Sequence, residues 1–139
     1  MKQFNSHELI ATLIDKKSGN DVVHHFFIEY DDWWGIEFRG DTKLKSIIIP
    51  TAATVIDCYA FSDCINLEYV VIPDSVKEIG EGAFDGCIKL KSIYYLGVTD
   101  QYGIFNDIPS TTTIYYYSEN KPSDAGNYWH FVDKVPTSW

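Results

Sequence analysis

The chain has 139 residues, 45% of them hydrophobic and 22% charged, which is enough for one modest core and too little for two domains. Twenty acidic against eleven basic residues leave a formal charge of −9, which opposes direct binding to nucleic acid or an anionic membrane surface and favours a neutral or basic partner. No apolar run reaches the roughly eighteen residues a membrane span requires.

In chain order, Asn5 followed by Glu8 has the form of a capping box. Leu9, Ile10, Leu13 and Ile14 then share one helical face before Gly19, so an N-terminal helix is predicted. The period changes after it. Val22 to Tyr30 and Trp33 to Arg39 read as two strands turning at Asp31-Asp32, a β-hairpin. Residues 1–41 thus form an N-terminal cap of helix plus hairpin.

A repeat follows over residues 42–117. Leu44-Lys45-Ser46-Ile47-Ile48-Ile49-Pro50 returns 23 residues later as Leu67-Glu68-Tyr69-Val70-Val71-Ile72-Pro73, and Leu90-Lys91-Ser92-Ile93-Tyr94-Tyr95 opens a third unit at the same spacing. Ile56, Ala60, Phe61, Cys64 and Ile65 fall on Ile79, Ala83, Phe84, Cys87 and Ile88. In each unit the spacing Leu-x-x-Ile-x-Ile places alternate residues inward on a short strand, and a proline ends the strand by removing a ladder donor. One unit cannot bury its apolar edge alone, so the copies must stack into a parallel sheet with columns of Leu and Phe. Val98 to Ser110 shows no clear period and reads as a loop. Thr111 to Tyr117 is a degenerate closing strand, and residues 118–139 an irregular cap pinned by Tyr128, Trp129 and Phe131.

The run Ile-x-x-Tyr-Ala-Phe-x-x-Cys-x-x-Leu-x-x-Val-x-Ile-Pro from Ile56 to Pro73, and its second copy from Ile79 to Cys87, resemble the BspA-like bacterial leucine-rich repeat. The stretch Ile114 to Pro122 with Tyr128-Trp129-His130-Phe131 and Trp139 is similar to the C-terminal cap of some members of that family. The resemblance implies an α/β fold, a short right-handed leucine-rich-repeat solenoid of about three repeats within one structural domain, and an interaction scaffold of a kind often found on cell surfaces in long arrays. This chain departs from that pattern in having few repeats and no leader at Met1 to Asn5, so a cytoplasmic location is expected. The odd cysteine count, Cys58, Cys64 and Cys87, and the lack of an Asn-x-Ser/Thr sequon point the same way.

The sequence nominates no catalytic, cofactor or metal residues, and no enzymatic activity is expected. His7-Glu8 lacks the second histidine of a zinc-protease helix, because Ala11 stands at that place. His24 and His25 are neighbours on a strand and point to opposite faces. Cys64 and Cys87 hold equivalent repeat positions and read as a reduced core column. Gly80-Glu81-Gly82 sits on a bend outside any dinucleotide-binding context, and Asp31, Asp32 and Asp57 have no nucleophile near them in sequence.

Function is therefore sought on surfaces. The period places Lys45, Ser46 and Ile48, then Glu68, Tyr69 and Val71, then Lys91, Ser92 and Tyr94, and last Tyr115 on the open strand face, which is near neutral and suited to a protein partner. The cap of residues 1–41 holds eight acids and four bases, and Asp31, Asp32, Trp33 and Trp34 make it a second candidate surface. The leading expectation is a non-enzymatic protein-binding scaffold. One alternative is a small acidic inhibitor of the phage anti-defence type, blocking the basic channel of a nucleic-acid-binding enzyme. Another is a fragment of a surface adhesin.

Overall fold

A computed structural model describes residues 8–14, 18–27 and 38–139. The first described stretch is a strand, β1 (Glu8–Ile14), and not the expected helix. It pairs antiparallel on one side with β2 (Asp21–Phe27) and on the other with β3 (Leu44–Ile48). The segment's apolar residues suit a helical period, but Ile10, Thr12 and Ile14 are also β-branched at alternate places, and two flanking strands complete its backbone hydrogen bonding. Ala11, fully buried, lies opposite Ile47. Among the described residues there is no α-helix, so the class is mostly β and not α/β.

The hairpin is also one element earlier than the sequence suggests, since β2 pairs back onto β1. Asp31-Asp32 and most of the second expected strand lie outside the described residues. Its last residues, Phe38 and Arg39, form a turn. Phe38 stands 23 residues before Phe61 and stacks on it at 5.7 Å, and Phe61 stacks on Phe84 at 5.4 Å. The repeat's Phe column therefore begins inside the stretch assigned to the cap.

The stack itself follows the sequence alignment. β3, β5 (Tyr69–Ile72) and β7 (Ser92–Tyr95) run parallel at the 23-residue offset, with Ile47 on Val70 and Val70 on Ile93. On the opposite side of the turns, β4 (Val55–Ile56) pairs with β6 (Glu78–Ile79) in a second small parallel sheet. Leu44, Leu67 and Leu90 are buried in one column between the sheets, Ile49, Ile72 and Tyr95 in another. The two thiols behave as structural groups: Cys64 donates to the Phe38 carbonyl at 2.7 Å and Cys87 to the Phe61 carbonyl at 3.0 Å, each satisfying a carbonyl of the preceding turn. Contact with the Cys87 sulfur and burial together hold the Cys64 thiol above its ordinary range, so it stays protonated and inert. Gly40, Asp63 and Gly86 occupy one repeat position and all take positive φ, of 71°, 59° and 75°. The tight bend after each Phe demands that conformation, and glycine supplies it at the least cost.

The last turn is two residues shorter. β8 (Thr113–Tyr117) pairs with β7 at an offset of 21, as Ser92 on Thr113 and Tyr94 on Tyr115. At that offset Gly103, Ile104, Phe105 and Ile108 fall on Gly82, Ala83, Phe84 and Cys87. Ile104 is buried, Phe105 and Ile108 pack on the same core, and Gly103 has φ 64° as Gly82 has 65°. The stretch expected to be an aperiodic loop is thus a repeat turn with a deletion. Asp107 closes it by accepting the Gly82 N–H at 2.9 Å. The C-terminal cap is regular too: β9 (Tyr128–Val132) runs parallel to β8, and β10 (Val135–Ser138) returns antiparallel across Asp133-Lys134, both at positive φ as a two-residue type I′ turn requires. Among the described residues the main sheet has eight strands, in the order β10-β9-β8-β7-β5-β3-β1-β2. It curls into a short solenoid of about three turns.

Candidate protein-binding face

The register brings the expected face residues into rows. Ser46, Tyr69, Ser92 and Thr113 form one row across the sheet, and Ile48, Val71, Tyr94 and Tyr115 the next. Their accessibility is uneven. Val71 is fully buried, and Ile48 and Ser46 are buried as well, so these three do not offer contact surface. Glu68 and Lys91 are exposed, and Tyr69, Tyr94 and Tyr115 are half-buried. Lys45 is half-buried and bonded to the Asp21 carboxylate at 2.7 Å; that hydrogen bond raises its pKa from the ordinary value. Asp31, Asp32, Trp33 and Trp34 lie outside the described residues.

The cover over this row includes Trp129. Its indole is fully buried, and its ring lies 5.3 Å from Tyr94, 5.3 Å from Tyr117 and 4.9 Å from Phe131. The indole N–H donates to the Tyr95 carbonyl at 2.6 Å. Thr113 N–H bonds to the Lys91 carbonyl where the β7–β8 pairing begins, and the pairing runs on to Tyr95 opposite Tyr116. At the far end of the pairing the Tyr117 N–H donates to the Gly97 carbonyl at 3.2 Å, and the indole adds a side-chain bond to β7 from β9. The sequence marks Trp129 as a capping aromatic, but its reach across β8 to the Tyr95 carbonyl of β7 is seen only in the structure.

The tyrosines form a continuous aromatic series, with Tyr69 edge-on to Tyr94 at 5.6 Å and Tyr94 stacked on Tyr115 at 5.3 Å. Burial raises the Tyr94 pKa, opposed by a hydrogen bond with Ser92 and reinforced by the neighbouring Tyr115 and Tyr69. A neutral hydroxyl on a half-buried ring can donate or accept one hydrogen bond while the ring supplies apolar area, the combination enriched where proteins meet. Among the described residues no group of three or more His, Cys, Asp and Glu side chains converges as a metal site. No described helix is long and apolar enough to cross a membrane. An open cleft of about 340 Å³ lies in the cap between Lys121, Pro122, Tyr128 and Trp139, with Tyr128 donating to Asp124 at 2.9 Å.

Residues 36–121, more than half of the chain, match the family model described as BspA type leucine rich repeat region (6 copies). The chain belongs to that family. The match begins before Phe38 and runs past Tyr117, so it takes in both the early start of the Phe column and the shortened last turn of this BspA-type stack. Comparison with curated proteins and with solved structures gives no match.

Proposed function

We propose that the protein is a non-enzymatic protein-binding scaffold whose partner meets the open part of the strand face. Membership of a leucine-rich-repeat family supports a role in protein binding. The observation that carries the site is the contiguous ring series Tyr69, Tyr94 and Tyr115, half-buried and flanked by exposed Glu68 and Lys91. The three free cysteines, two of them buried as core groups, support a reducing cell interior as its location.

The test is capture from a cell lysate by the wild type and by a Tyr69→Ser, Glu68→Lys variant of unchanged melting behaviour. Proteins held by the wild type and lost by the variant are the expected outcome; identical capture by both would sink the strand-face reading. An acidic inhibitor is the second reading, favoured by the exposed Asp63, Glu81, Asp85 and Asp107 along the turns. Capture through those acids should fall steeply as salt rises, whereas a tyrosine-centred contact should persist.

A further inference from the structure

The segments that lead into the strands carry a different surface from the strands themselves. At the 23-residue offset, Thr42, Ile65 and Ile88 form one row, and Lys43, Asn66 and Lys89 the next. The rows are tied across turns: the Asn66 amide donates to the Thr42 carbonyl at 2.6 Å, and the Lys89 ammonium to the Asn66 side-chain oxygen at 3.1 Å. Ile65 is 40% exposed and Ile88 77% exposed, although the core columns on either side of them are fully packed. A single exposed isoleucine needs no explanation; two in register on one bonded ridge make a small apolar strip.

The local charge also runs against that of the molecule. Residues 42–45, 65–68 and 88–91 contain four lysines, Lys43, Lys45, Lys89 and Lys91, against the single acid Glu68, in a chain of net charge −9. Of these lysines only Lys45 has a carboxylate partner among the described ion pairs. Asp63 and Asp85 stand before the two isoleucines and border the ridge on the side of the turns. At physiological ionic strength the screening length is about 8 Å, so a bound segment senses this ridge more than the distant acids.

We infer that the ridge of Ile65, Ile88, Lys89 and Lys91 docks an acidic segment of a partner protein that carries apolar side chains among its carboxylates. The apolar side chains lie on Ile65 and Ile88, and the carboxylates meet the ammonium groups of Lys89 and Lys91. The inference rests on the protein-binding reading, and places a contact beside the tyrosine series at the N-terminal ends of the same strands.

The experiment is selection from a displayed random-peptide library on the immobilised wild type at physiological salt, repeated on an Ile88→Ser, Lys89→Glu, Lys91→Glu variant. All three positions are exposed, so the variant should melt like the wild type. Peptides rich in Asp and Glu with interspersed Leu, Ile or Phe should be enriched on the wild type and bind the variant at least tenfold more weakly. Enrichment of basic peptides, enrichment indifferent to the variant, or no enrichment would each overturn the ridge as the site. Repeating the selection on the Tyr69→Ser, Glu68→Lys variant keeps the two readings apart. Peptides lost only there leave protein binding standing without the ridge, and peptides lost on neither variant tell against both.

Discussion

Within one sheet the two ends of the strands have opposite character. Toward their C-terminal ends, Trp129, Tyr117 and Phe131 pack with Tyr94 around a fully buried Val71. Toward their N-terminal ends, Glu68 and Lys91 stand in solvent beside Ile65 and Ile88. The repeats themselves do not distinguish the two halves, since both continue across β3, β5 and β7 at one register. The difference comes from the β9–β10 hairpin, which closes the stack and also lays an indole across half of its face. In a solenoid this short the cap decides how much of the repeat surface a partner can reach.

The sharpest way to break the comparison is to remove what both halves share. Phe84→Ala empties the centre of the Phe column and should cost about 3–5 kcal/mol in denaturant unfolding, enough to unfold much of a chain with so few turns. A midpoint close to wild type would mean that the column does not hold the stack together.

Trp129→Phe acts on the covered half alone. It keeps an aromatic ring but removes the N–H that satisfies the Tyr95 carbonyl, and should cost about 1–3 kcal/mol. Peptide selection at the open half should be unaffected; loss of binding there would show the two halves to be coupled.

The smallest effect is spread over the aromatic series and is read through pH. Burial raises the pKa values of Tyr94, Tyr95, Tyr116 and Tyr117 in the folded chain. Unfolded tyrosines ionise near pH 10, so above that value the unfolded state holds fewer protons than the native one, and stability falls as pH rises. Melting temperature followed from neutral to alkaline pH should decline beyond about pH 10, and less so with Tyr94 and Tyr95 both changed to Phe. A flat profile in the wild type would argue that these hydroxyls are as hydrated as in the unfolded chain.

The amino-acid sequence determines the repeating part of this protein almost completely. In a stacked solenoid a constant offset in sequence is also adjacency in space, so aligning Leu44, Leu67 and Leu90 already places one residue above the next. The face positions follow from the same period as far as β7, which is why Tyr69 and Tyr94 are legible in the sequence, and Tyr115 continues them through the degenerate closing strand at an offset of 21. The signal fails where the offset changes. Two missing residues hide Gly103, Ile104, Phe105 and Ile108 from a 23-residue alignment, and Phe38 is hidden by a boundary drawn too late. Tertiary structure alone settled the rest. Glu8–Ile14 fits either period, and pairing with both β2 and β3 makes it a strand. Burial of Val71 and Ile48 belongs to no strand pattern, because it depends on packing contributed from outside the repeats, such as Trp129, which shares their buried cluster.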